Sequence, residues 1–178
     1  MKGRVEVLVA GFGSQGVVRV GQIVGLAAVH QGYRVSMLKS HGTEQRGGHV
    51  RSQVVISSEP IDSPMVENPD YFCALSIDAY NRYSPVVKDG IIIYDPAFVT
   101  PDENLNVRQI PFNCQDIAMK ELGRTIFTNT ILLGGLTRIM GFLEKENVES
   151  TTLELIPRFK EENRKAFELG YSMIEQVT

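Results

Sequence analysis

The sequence predicts an α/β protein: a three-layer α/β/α arrangement around a mixed, mainly parallel sheet, in a single domain over residues 1–178. Three observations predict it. Short apolar runs of strand character alternate with longer stretches of helical period, the pattern of βαβ units. The first run ends in a glycine-rich turn that opens directly into an amphipathic stretch. At 178 residues, with 43% hydrophobic and 22% charged, the chain can bury one real core and has little left for a second.

The elements follow in order. The apolar run at 5–10 enters Gly-Phe-Gly-Ser-Gln-Gly, with glycines at 11, 13 and 16. A helix is expected over about 14–31, with Val17, Val20, Val24, Ala27 and Ala28 on one side. Gly21 and Gly25, four apart, lower helix propensity but permit close approach of a neighbour. Gly32 suits the end of that helix, and 33–38 reads as the second strand. A polar loop at 39–49 leads into a strand at 50–57. Two strands joined so directly can pair antiparallel, hence the mixed sheet.

Pro60, Pro64 and Pro69 punctuate a connector before a buried strand at 70–76. A helix over 77–87 should be cut short by Pro85. Strands at 91–94 and 105–110 flank a surface loop that begins with Asp95-Pro96. A helix at 116–122 ends on Gly123, and 129–143 forms a strongly apolar helix with Gly134-Gly135 inside it. That helix belongs either in the core or beneath a partner. Ser150-Thr151-Thr152 reads as the opening of a further helix, and a last one covers about 158–176.

The chemistry concentrates at the glycine turn. Gly11 permits a backbone conformation closed to other residues, Gly13 a close ligand approach, and Gly16 a helix start lying against the strand. With Ser14 and Gln15 they make a strand–turn–helix entry whose free N–H groups and helix dipole suit an anion. A tight connection that binds nothing has the same pattern. An NAD site would place an acid about 20 residues on. No acidic residue lies between Gly16 and Thr43, whereas Lys39 closes the second strand with Arg34 and His41 nearby. That charge favours a ligand with an extra phosphate, NADP or coenzyme A, with Lys39 as its cationic partner.

Asp78 and Asp95, at strand ends, either line a ligand crevice or cap a helix or turn. The loop bearing Glu44, Arg46, Gly47 and Gly48 is either a binding loop or a hairpin end with a weak local ion pair.

Several function classes drop out. A net charge of −3 gives no nucleic-acid footprint. No apolar run reaches the ~18 residues of a membrane span, and 1–7 lacks the apolar core of a signal peptide, so a cytoplasmic place is expected. Cys73 and Cys114 are the only cysteines, too few for an iron–sulfur cluster, and His30, His41 and His49 do not fall at metal-ligand spacing. No metal site and no catalytic nucleophile–base set is expected.

The motifs Gly-Phe-Gly-Ser-Gln-Gly at 11–16 and Gly-Thr-Glu-Gln-Arg-Gly-Gly at 42–48 carry a resemblance. So do Asn-Thr-Ile-Leu-Leu-Gly at 129–134, and Asn163 with Ala166-Phe167 and Gly170-Tyr171. Together they resemble the gamma subunit of 2-oxoacid:ferredoxin oxidoreductases over nearly the whole chain. Ser14 departs from the pattern, which usually has a third glycine there. The resemblance implies a non-catalytic piece of a complex that converts a 2-oxoacid to an acyl-CoA. Thiamine diphosphate, magnesium and iron–sulfur clusters would sit in alpha, beta and delta partner subunits, with ferredoxin as the acceptor and a part for this chain in coenzyme A access. The runner-up is a free-standing NADP-binding reductase; a third reading is a scaffold whose glycine turn is empty.

Overall fold

A computed structural model describes residues 3–12, 16–41 and 49–174, and the fold is that of these residues. One six-stranded sheet has the order β2-β3-β1-β4-β5-β6. Its strands are β1 (Arg4–Phe12), β2 (Arg34–His41), β3 (His49–Ser57), β4 (Tyr71–Ala74), β5 (Ile91–Tyr94) and β6 (Arg108–Pro111). β1, β4, β5 and β6 run parallel, while β3 pairs antiparallel with both β1 and β2. The sheet is therefore mixed and mainly parallel, as the sequence predicts.

The direct passage from β2 to β3 has a consequence for the site. β3 takes the place next to β1, so β2 is not β1's neighbour. Lys39 sits across from Ser52, which sits across from Val9. Two inter-strand steps, about 10 Å, separate Lys39 from the strand that carries the glycine turn. Lys39, expected as the cationic partner of a ligand at that turn, thus stands a strand farther from it than a β1–β2 neighbourhood would place it.

Six helices cover the sheet unequally: α1 (Val17–His30), α2 (Ile77–Tyr83), α3 (Cys114–Leu122), α4 (Thr128–Met140), α5 (Lys145–Leu155) and α6 (Lys160–Met173). One face, through Val5, Val7, Val9, Cys73, Ile93 and Ile110, shares a single apolar core with side chains of α1, α3, α4, α5 and α6. The other face, through Leu8, Phe72, Ile92 and Tyr94, meets α2 and Val99 in a smaller core. Alternation along each strand divides the faces. Pro85 does cut the helix: α2 ends at Tyr83 and a 3₁₀ turn over Ser84–Val86 follows.

The apolar helix expected at 129–143 is α4, and residues 131–137 are buried without a break. It is a core helix, packed against α6, with α3 and α5 beside it. The hydroxyl run at 150–152 does not open a helix. α5 starts at Lys145, and the Ser150 and Thr152 hydroxyls donate to the Asn147 and Val148 carbonyls within it. A serine–threonine run reads as a cap until its back-bonding to the preceding turn is seen.

Candidate functional site

β1 leads into α1 on one face of the sheet, and its parallel neighbour β4 leads into α2 on the other. Between them lies the switch point at which open α/β sheets bind ligands, outside the carboxyl ends of the strands. Gly11 is still strand, paired with Val50. The left-handed residue is Gly16, at φ 66° and ψ 22°, which caps α1 with no side-chain partner. A Cβ at Gly16 would land on the Asn129 amide of α4. The glycine thus admits a helix end to the turn, not the strand the sequence reading placed there. Gly13, Ser14 and Gln15, and the loop with Glu44, Arg46, Gly47 and Gly48, lie outside the described residues.

Asn129 also separates two clefts. One, of about 340 Å³, lies at the ends of β4 and β5, with Leu75, Asp95 and Cys114 inside and Phe98 and Ile126 at its rim. The other, of about 220 Å³, runs from Arg19 in the first turn of α1 to Arg158 and Phe159 ahead of α6. Sequence reasoning missed Arg19 and Asn129 as site residues. Arg19 had a signal: it is the sole charged side chain in the first turn of a helix whose start attracts anions. Lys39 is exposed on the edge strand, whereas Arg19 follows Gly16 by three residues in the first turn of α1.

Of the two strand-end acids, Asp78 is exposed in the first turn of α2, whose cap is Ser76. Asp95 is 3% exposed. Its carboxylate accepts from Ala97 N at 2.9 Å and from Gln115 N at 2.8 Å, so it tightens its own turn and caps α3 from the neighbouring strand. Burial raises its pKa, the two N–H donors oppose that, and nearby Asp116 adds to it. Cys114 beside it is buried, and burial with the Asp95 charge pushes its thiol well above the ordinary range. Such a thiol is a poor nucleophile. The cleft offers enclosure and orientation, with its acid already committed to backbone.

Among the described residues no three His, Cys, Asp or Glu side chains gather as metal ligands, and no helix is long and apolar enough to cross a membrane.

The model of the pyruvate ferredoxin/flavodoxin oxidoreductase family matches residues 6–173. The 2-oxoglutarate synthase subunit KorC of Methanocaldococcus jannaschii is 36% identical, over 99% of this chain and 97% of the relative. The crystal structure of the gamma subunit of a keto/oxoacid ferredoxin oxidoreductase from Geobacter sulfurreducens superposes with a TM-score of 0.88 at 32% identity, covering 98% of each chain. A 2-oxoglutarate:ferredoxin oxidoreductase from Magnetococcus marinus, solved with 2-oxoglutarate, coenzyme A and succinyl-CoA bound, gives 0.89 at 26% identity. All of this chain is covered there but only 32% of that longer one. Matched from residue 6 to 173 and over nearly its whole length by a curated relative, the chain belongs to the pyruvate ferredoxin/flavodoxin oxidoreductase family.

Proposed function

We propose that this chain is the non-catalytic gamma subunit of a thiamine-diphosphate-dependent 2-oxoacid:ferredoxin oxidoreductase. In this reading it serves assembly of the complex and access of coenzyme A, in the cytoplasm. The observation that carries the reading is the end-to-end likeness to a gamma subunit; among the described residues of the crevice, the buried acid Asp95 is committed to backbone and the Cys114 thiol is held protonated. Thiamine diphosphate, magnesium and the iron–sulfur clusters belong to alpha, beta and delta partners, and ferredoxin takes the electrons. Residues 11–16, with Gly11, Gly13, Ser14, Gln15 and Gly16, hold a coenzyme A phosphate on the backbone donors at the start of α1. The residues fit such an anion: Gly16 opens the turn, no acid stands in the first turn of α1, and Arg19 lies there. Lys39 contributes charge from farther away.

The test is turnover. The purified chain, given a 2-oxoacid, thiamine diphosphate, Mg²⁺, coenzyme A and a viologen acceptor, should reduce no dye. Co-expressed with its partner subunits it should be recovered in an active complex. Dye reduction by the chain alone would contradict the reading.

A further inference from the structure

The smaller cleft has an unusual rim. Phe159 is the sole non-glycine residue with positive φ among those described, at φ 54° and ψ 49°. A bulky side chain holds that conformation only where its surroundings over-determine it. Asn163, buried in α6, does so. Its backbone N–H donates to the Phe159 carbonyl at 2.8 Å, and its amide nitrogen donates to the Phe159 and Arg158 carbonyls at 3.1 and 2.9 Å. Its amide oxygen accepts from the Thr130 hydroxyl at 2.8 Å. The result turns the Phe159 ring outward, 43% exposed, edge-on to buried Phe127 and beneath the Arg124 guanidinium at 4.7 Å. Ile126, 53% exposed, is the other apolar rim residue.

Charge and polarity then identify the occupant. Arg124 and Arg158 are exposed and form no ion pair among the described residues, in a chain of net charge −3. The floor is Val20, Ile23, Phe127 and Leu133. Of the polar groups that line it, Thr130 and Asn163 are spent on each other and on backbone, while Arg19 and Asn129 lie at the end nearest Gly16 and the start of α1. A small polar ligand would need convergent donors or acceptors there, and at about 220 Å³ the cleft falls below the usual size for one. An apolar floor with an aromatic and arginines at the rim is instead the make-up of a protein-binding hot spot.

Resting on the subunit reading above, we infer that this cleft docks an acidic segment of the larger partner subunit. That segment seats one bulky apolar side chain between Ile126 and Phe159 while its carboxylates pair with Arg124 and Arg158. The partner is the separate counterpart of the two-thirds of the longer Magnetococcus chain that this chain does not span.

The test is assembly with co-expressed partner subunits, read by co-purification on a tagged partner and by titration of the purified chain. Phe159→Gly removes the ring at a position whose backbone favours glycine, so its melting temperature should hold or rise while affinity for the partner falls about tenfold or more. Arg124→Glu with Arg158→Glu should do the same. Wild-type affinity should drop between about 0.05 and about 0.5 M NaCl, and the charge-reversed protein should lose that dependence. Wild-type assembly with all variants binding at full strength overturns the groove assignment alone. A coenzyme A-induced thermal shift of the isolated chain that these variants abolish, with assembly intact, assigns the groove to a small ligand and also overturns it. Failure of the wild-type chain to co-purify overturns the subunit reading and this inference together.

Discussion

Gly134 of α4 and Gly170 of α6 bring their two helices into backbone contact. A Cβ on Gly134 would meet the Phe167 carbonyl oxygen, and one on Gly170 the Ile131 carbonyl oxygen. The clash at each position is with backbone, which cannot swing away as a side-chain tip can.

Gly134→Ala and Gly170→Ala should therefore both destabilise the chain. Alanine gains about 1 kcal/mol in helix propensity over glycine. Overpacking of a close-packed core costs about 1–3 kcal/mol or more, and here helices must separate to relieve it. The clash wins. A fall in melting temperature of several degrees is expected, at about 2–4 °C per kcal/mol for a chain of this size. Calorimetry showing either variant unchanged would mean that α4 and α6 pack less closely than described.

Asp95 should leave a signature in the pH dependence of stability. Burial raises its pKa from the ordinary 3.8, so the folded state holds this proton more tightly than the unfolded one. For an acid of that kind, stability is gained as pH falls through the raised value towards 3.8. Asp95→Asn removes the gain and weakens the cap on α3. Urea unfolding should show wild type ahead of Asp95→Asn at every pH, with the gap widening between pH 7 and pH 4. A gap that narrows on acidification would reverse the assignment.

Both thiols should be silent in the native chain. Cys73 and Cys114 are buried, and burial alone pushes Cys73 up to about 12. Ellman's reagent should titrate neither in the folded protein and both in denaturant. Fast native modification of Cys114 would show that the larger cleft opens to it.

Glu6 anchors the far end of the sheet. It accepts from Arg4 Nε at 2.9 Å and from the N–H groups of Glu67 and Asn68 at 2.8 and 2.9 Å, holding the proline-marked connector to β1. Glu6→Gln turns an amide N–H₂ towards those donors and should cost about 1–3 kcal/mol. Since these contacts lie at the amino end of β1, away from the switch point, assembly and the KM for coenzyme A should not move.

The legible part of the fold was its periodic part. β1, the start of β3, β5 and the apolar α4 showed through their spacing, and Pro85 marked the end of α2. Less legible was whatever depends on residues far apart in the chain. No local pattern says that β3 intervenes between β1 and β2, which moves Lys39 away from the glycine turn. None says that Asp95 caps α3 across 20 residues, or that Gly16 makes room for Asn129. The hydroxyls of 150–152 misled because capping and back-bonding use the same residue types. The helix boundary at Gly141 was missed because Phe142 and Leu143 prolong the apolar pattern past the left-handed residue at φ 64°.

The most direct test of the proposed role is the KM for coenzyme A in the assembled complex carrying Gly13→Ala or Arg19→Ala. Arg19→Ala removes one charged contact to a phosphate, on the order of 1.5 kcal/mol, and should raise that KM about tenfold, while Gly13→Ala puts a methyl group in the path of the ligand and should raise it as well. Thiamine-dependent reduction of an artificial acceptor without coenzyme A should stay close to wild type. Complexes that assemble normally with both variants and keep the wild-type KM would contradict the account, leaving the glycine turn as a packing element.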